Sequence, residues 1–285
     1  MAGAAPAAMR RAKNSESSGR LGAALLLALA TLSACTAAAP RRPAVTPLGT
    51  APSTARIVSV LERRDEDLSR FRAQARLAYQ SSTQSFKSTQ VVAVRAPSSL
   101  RIDVMNPFGV SYTVATDGLL LSAFDRRERI FYAGKASTDS FRRFLGVPIG
   151  AAELASLVRG LPPDLGEARS STVEASEGGW LWRRGFKGGA TLELLLDSAT
   201  LEPLWASLAG YRDHPDVEAD FLDYRDVTGI RVAHRIEVRF ADGSHLELNY
   251  KSVQRDVKLP PDAFHLEKPA GSRFVDVDAE DARGA

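Results

Sequence analysis

The chain has 285 residues, enough for one large domain or two small ones, and 44% hydrophobic with 25% charged residues leaves room for a packed core. Its net charge of +3 does not make it a nucleic-acid binder: Arg10, Arg11, Lys13 and Arg20 against Glu16 alone put the whole excess in residues 1–34, and the rest balances at 33 basic and 33 acidic residues. A single cysteine, Cys35, excludes an internal disulfide and any cysteine-based zinc pattern.

The first segment reads as a leader. A basic stretch precedes an apolar run of 14 residues, Leu21–Ala34, too short to span a bilayer comfortably but suited to a signal sequence. The run ends Leu32-Ser33-Ala34-Cys35. That ending resembles a lipobox, with small residues before a cysteine. The resemblance implies cleavage before Cys35 and acylation of it, an anchor worth about 0.8 kcal/mol per buried methylene. Thr36 takes the place where an aspartate retains enteric lipoproteins in the inner membrane, which implies an outer-membrane destination facing the periplasm. Residues 35–52, rich in Ala, Pro, Thr and Arg and without periodicity, read as a flexible tether.

From Ser53 the pattern turns helical. Ile57, Val60, Leu61, Leu68 and Phe71 fall near one face, and Ser53 or Thr54 is placed to cap the helix. Beyond it the period becomes two. Leu100, Ile102 and Val104 alternate with polar residues, as do Leu192–Leu196, Val217–Phe221, His234–Phe240 and Leu246–Tyr250. Asp117-Gly118 and Asp242-Gly243 read as hairpin turns. About ten strands follow from this count, each apolar on one side, which is the mark of an antiparallel sheet with one wet face. Between them Ser137–Arg159 carries two helical stripes, Phe141, Phe144 and Leu145, then Leu154, Leu157, Val158 and Leu161, broken at Gly146-Val147-Pro148 and at Gly160. So little helix covers such a sheet only if the sheet is curved, which predicts an apolar concave interior lined in part by Phe141, Phe144, Leu154 and Leu157. The acidic segment 268–285 reads as a disordered tail, leaving residues 53–267 as the folded domain.

Two stretches carry a family resemblance. Leu100–Gly109, ending Asn106-Pro107-Phe108-Gly109, is followed by a strand at Val110–Ala115. Phe144–Gly150 leads into a helical stripe that stops at Arg159-Gly160-Leu161-Pro162. In order and spacing these resemble the LolB-type outer-membrane lipoproteins of the LolA/LolB lipoprotein-localisation superfamily, over most of residues 55–266. The resemblance implies a mainly β fold, an incomplete antiparallel barrel lidded by a few helices around an apolar cavity. It implies a receptor that accepts lipoproteins, by their acyl chains, from a LolA-like periplasmic carrier and inserts them in the outer membrane. It implies no cofactor and no catalysis, and it makes Phe108 a membrane-inserting residue where the family has leucine. A different lipid- or glycolipid-binding lipoprotein on the same fold is the alternative.

Other chemistry finds little support. No nucleophile elbow, phosphate loop, dinucleotide fingerprint or His-Glu-x-x-His occurs. His234 and His245 flank the Asp242-Gly243 hairpin but lack a third metal ligand. Trp180 and Trp182 share a strand face and read as core. Arg126-Arg127 and Arg183-Arg184 read as turn or rim charges, with anionic lipid headgroups as the functional option.

The anchor is directly testable. Cys35→Ala should move the protein from the detergent phase to the aqueous phase and remove the diacylglyceryl mass. Persistence of the mutant in the membrane fraction would exclude a Cys35 anchor.

Overall fold

A computed structural model describes residues 47, 49–211 and 216–279. Cys35 and the leader lie outside the described residues. The chain opens with α1 (Thr54–Asp67), where the Ser53 side chain accepts the backbone N–H of Arg56 at 3.2 Å. Six strands follow: β1 (Arg70–Gln80), β2 (Ser85–Arg95), β3 (Ser99–Asn106), β4 (Gly109–Thr116), β5 (Leu120–Asp125) and β6 (Ile130–Lys135). Two short helices come next, α2 (Thr138–Leu145) and α3 (Ala151–Leu157). Then come β7 (Ser170–Ser176), β8 (Gly179–Gly185), β9 (Thr191–Leu196), β10 (Pro203–Ala209), β11 (Val217–Val227), β12 (Ile230–Phe240) and β13 (His245–Arg255). A single 3-10 turn at Pro261–Phe264 leads to β14 (Arg273–Asp276).

Among the described residues, fourteen strands form one open sheet in the order β14-β6-β5-β4-β3-β2-β1-β13-β12-β11-β10-β9-β8-β7. Neighbours pair antiparallel except β14, which runs parallel to β6. Within β1–β6 and within β7–β13 consecutive strands pair as neighbours, and the long-range pairings are β14 on β6 and β1 on β13, the latter from Phe71 opposite Arg255 to Gln80 opposite His245.

β1 shows how the sequence makes this sheet one-sided. Phe71, Ala73, Ala75, Leu77 and Tyr79 are buried, whereas Arg70, Arg72, Gln74 and Arg76 face water. The same apolar face continues through Val92 and Val94 of β2, Ile102 of β3, Val114 of β4, Ile236 and Val238 of β12, and Leu194 and Leu196 of β9. All three helices add to that one core: Ile57 of α1, Phe141 of α2, and Leu154, Ala155 and Leu157 of α3. A core shared by strands at both ends of a fourteen-stranded sheet and a few helical turns requires the sheet to curl around the helices. The result is the open, unclosed half-barrel with a helical lid that the family resemblance implies.

Several expectations need adjustment. Fourteen strands replace about ten, because β2 begins Ser85-Phe86-Lys87-Ser88-Thr89 and β7 is nearly all exposed polar residues, so neither alternates legibly. The first helix stops at Asp67. Phe71, on the expected helical stripe, belongs to β1, where its ring meets Tyr250 edge-on at 5.8 Å. Described residues of the segment taken for a disordered tail are also structured. Arg273–Asp276 forms β14, Val277 is fully buried, and the Phe274 ring stacks on Phe131 at 6.4 Å. Acidic composition averaged over the segment hid this short alternation. Upstream, the link to β14 crosses the convex face of the sheet. Phe264 is buried beneath the Arg95 guanidinium, Arg101 Nη1 donates to the Ala263 carbonyl at 3.2 Å, and the Leu266 N–H donates to Ser122 Oγ at 3.2 Å.

A fully buried hydrogen bond ties the end of the lid to β13. The Tyr250 hydroxyl of β13 donates to the Val158 carbonyl, just past α3, at 2.6 Å in full burial. Tyr250→Phe keeps the ring but leaves that carbonyl unpaired. It should cost about 1–2 kcal/mol and lower the melting temperature by roughly 2–8 °C. An unchanged melting temperature by calorimetry would mean that water replaces the hydroxyl.

Candidate functional site: the lidded concave face

The concave face is where the sheet and the helices pack together, and a second concavity of about 370 Å³ lies between β5, β6 and His265–Lys268. The lid of the concave face runs from α2 through Gly146–Gly150 to α3 and ends at Gly160. Gly146 closes α2 at φ 73°, a left-handed conformation that favours glycine, and a Cβ there would stand 3.2 Å from the Tyr79 ring. Gly160, at φ 74°, lets the backbone come so close to β12 that a Cβ would lie 3.3 Å from that of Ala233. Both ends of the α3 segment are therefore glycine turns pressed onto the sheet.

Beneath the lid is an apolar gap of about 10 Å³, room for one water molecule at most. Val147, Ile149, Leu154, Leu157 and Val158 line it from above, and Ile236, Val238, Phe240, Leu246 and Leu248 from below. Of the four residues expected to line a cavity, Leu154 and Leu157 do face this gap. Phe141 and Phe144 pack in the same core on α2 but do not border it, Phe141 fully buried and Phe144 half-buried against Tyr132 at 5.1 Å. The cavity expected between sheet and lid is therefore not found: the interior is close-packed because lid and sheet side chains interdigitate, and an acyl chain, which needs hundreds of cubic ångströms, has no room there.

The lid is latched by polar contacts that the sequence did not announce. Arg159, at the end of α3, has a side chain only 1% exposed. Its Nε donates to the Ala155 carbonyl at 2.9 Å, and its Nη1 donates to Asp65 Oδ1 of α1 at 2.7 Å. Asp65 itself is half in water. Tyr250 supplies the second latch, and burial pushes its hydroxyl well above the usual tyrosine range, so it stays a donor. Tyr112, on β4 near α2, is also pushed up by burial, helped by Tyr132 and Asp125 and opposed by Arg143. The helix stop at Arg159-Gly160 was legible, but the burial of the arginine was not, since its partner lies 94 residues away.

Phe108 occupies the rim at one end of the sheet. Asn106 pairs with Gly109, so Pro107 and Phe108 form a two-residue turn between β3 and β4, and Asn106 Oδ1 accepts the Phe108 N–H at 2.8 Å. The Phe108 side chain is 99% exposed rather than folded onto the core. The lining of the gap reaches Phe240 and Leu246, at the same end of the sheet. Tyr79 pairs with Phe86 and with Leu246. The β2–β3 register, Thr89 opposite Met105, continued outward, brings Phe86 level with Phe108.

The remaining candidates are structural. The Trp180 indole donates to the Ser198 carbonyl at 3.3 Å and that of Trp182 to Ser171 Oγ at 2.7 Å, both rings in the core. His245 pairs with Arg239, not with His234, whose Nδ1 lies 2.9 Å from the Val232 carbonyl. Among the described residues no group of three metal-ligating side chains converges.

No protein-family model matches this chain, and no curated protein is similar at the level of sequence. Solved structures do share its fold. A domain described as an outer membrane lipoprotein-sorting protein from Vibrio parahaemolyticus superposes with a TM-score of 0.53 at 13% identity, covering 74% of this chain and 95% of its own. A DUF1329 family protein from Desulfovibrio piger gives 0.54 at 15% identity, over 74% and 96%. A LolA superfamily protein from Nitrosomonas europaea gives 0.53 at 12% identity, over 74% and 97%. The chain has the LolA-type fold.

The latch yields a dynamic test. Asp65→Ala removes the carboxylate from a guanidinium that stays buried. The cost should be about 1–2 kcal/mol, less than for a pair buried on both sides because Asp65 is half in water. Amide hydrogen exchange across Ala151–Leu157 should quicken by roughly five- to thirtyfold, with β1 and β13 unchanged. Equal acceleration in helix and strands would show that the pair stabilises the whole fold and not the lid.

Proposed function

We propose that this protein is a membrane-anchored lipid-handling receptor without catalytic activity. It takes lipoproteins from a periplasmic carrier into the lidded concave face and passes them to the outer membrane. The observation that carries this reading is the fully exposed Phe108 at a turn on one end of a helix-lidded apolar sheet face. Acyl chains cannot cross water unshielded, so a carrier-to-membrane step needs an apolar shelter that can open. The likeness in fold to a lipoprotein-sorting domain and to a LolA superfamily protein supports the shelter. The lipobox-like Cys35 supports the anchor, and the Asn106-Pro107-Phe108-Gly109 turn supports delivery at the bilayer. A phenylalanine held in water by its own turn gains roughly 1.5–3 kcal/mol on entering a bilayer. The second reading, carriage of a free lipid or glycolipid on the same fold, is separated by mass spectrometry of lipid retained after gentle purification.

Phe108→Glu should leave the melting temperature and the binding of a fluorescent fatty acid unchanged. Lipoprotein transfer from a LolA-type carrier to liposomes should fall at least tenfold. Collapse of stability would place Phe108 in the core, and full transfer activity would exclude insertion by this turn.

A further inference from the structure

The connections β1–β2, β3–β4, β5–β6, β8–β9, β10–β11 and β12–β13 all lie at the Phe108 end of the sheet, and in the first three the charges are not balanced. The β1–β2 turn, Ser81–Gln84, is neutral and polar and leads to the exposed Phe86 and Lys87. The β3–β4 turn presents Phe108. The β5–β6 turn is Arg126-Arg127-Glu128-Arg129, entirely exposed. Register and hydrogen bonding put the basic turn beside the phenylalanine. Tyr112 pairs with Asp125, and the Arg126 N–H donates to the carbonyl of Ser111, three residues past Phe108, at 3.1 Å.

The basic turn is also rigid at its base. Asp125 Oδ1 accepts the N–H groups of both Arg127 and Glu128 at 2.9 Å, which occupies one of the two acids in the cluster as a turn brace. The other, Glu128, lies 3.5 Å from the Arg127 guanidinium, with both side chains largely in water, a pairing of little strength. Arg129 is turned away, donating to the Ala270 carbonyl. The Arg126 guanidinium lies 5.8 Å from the centre of the Phe124 ring on the same strand end. Two arginines therefore stand beside an apolar tip at one end of the sheet.

We infer that Arg126 and Arg127 form a headgroup-binding site for anionic phospholipid, which docks the rim on a negatively charged bilayer as Phe108 enters it. The inference rests on the insertion reading of Phe108 but adds a lipid class to it. Arginine suits a phosphate diester by geometry as well as charge. Phe86, 41% exposed and level with Phe108, gives the rim a second, shallower apolar contact facing the concave side.

The test uses the full chain carrying Cys35→Ala, so that no lipid anchors it. Binding is measured by flotation with phosphatidylcholine vesicles and with mixed phosphatidylcholine–phosphatidylglycerol vesicles. The parent should bind the mixed vesicles more tightly, with an advantage that shrinks as salt rises. Each basic residue at an anionic surface is worth about fivefold. Arg126→Gln/Arg127→Gln should therefore lose roughly 25-fold on the mixed vesicles and little on phosphatidylcholine, and the double lysine variant should regain most of it. Phe108→Glu should weaken binding to both. If the glutamine variant binds mixed vesicles like the parent, or loses equally on both, the headgroup site is wrong while insertion by Phe108 stands. If Phe108→Glu changes nothing on either vesicle, the insertion reading falls with it. Circular dichroism melts of each variant confirm that these exposed positions leave the fold intact.

Discussion

An open antiparallel sheet with one apolar face cannot exist bare in water, and the rest of this molecule follows from that constraint. Fourteen strands at about 4.8 Å spacing would spread over roughly 60 Å if flat. Three short helices cannot dry such a surface. The sheet curls, the apolar residues of β1 to β13 converge, and α1, α2 and α3 fill the hollow. The convex face carries paired charges such as Arg239 with Asp220 and Arg235 with Glu247, each pair partly shielded from water by its neighbours. Closing the sheet into a full barrel would remove the need for a lid. Leaving it open makes the lid necessary and gives it something to uncover.

The lid is held by few and specific contacts. Its helices are eight and seven residues long, too short to be stable alone. Their stability is tertiary: apolar side chains on the sheet, plus two polar latches at the end of α3. Tyr250 fixes the backbone at Val158, and Arg159 reaches Asp65 on α1. Glycine turns at Gly146 and Gly160 bracket the segment and press both of its ends onto the sheet. A latch whose carboxylate is half in water opens at less cost than one sealed in the core.

Much of this was legible in the sequence where side-chain periodicity mirrors burial. Leu100-Arg-Ile-Asp-Val, Glu237 between Ile236 and Val238, and the lid stripe Leu154, Leu157, Val158 all sit as their alternation implies. The helix breaks at Gly146 and Gly160 were visible because only glycine takes those turns cheaply. The rest failed for physical reasons. β7 is an exposed edge strand whose polar residues carry no period. Phe71 follows α1 at a spacing that fits a helix, and only its pairing with Val94 and Arg255 makes it a strand residue. The Asp65–Arg159 and Tyr250–Val158 contacts join residues about ninety apart, and no local pattern can report them. Phe108 was placed at a turn by Pro107 and Gly109, but whether its ring faced the core or water needed the register of β3 with β4.

The near absence of space under the lid bears on how such a device would work. A permanently open hollow of acyl-chain size would expose apolar wall to water or fill with it, at about 25 cal/mol for every Å² left wet. Here Leu154, Leu157, Ile236 and Leu248 cover one another instead. A chain entering the hollow would replace lid side chains on the same apolar wall, so the area removed from water changes little. Hydrophobic burial then contributes nearly equally to the empty and loaded states. The balance between them is set by small terms: the latches, the glycine turns, and the lid surface exposed when it swings out. Such a shelter holds its cargo weakly relative to a bilayer, which buries the whole chain and exposes no lid. On the proposed reading, net transfer toward the membrane then needs no energy source beyond that difference, and the rim that meets the bilayer decides where it is released.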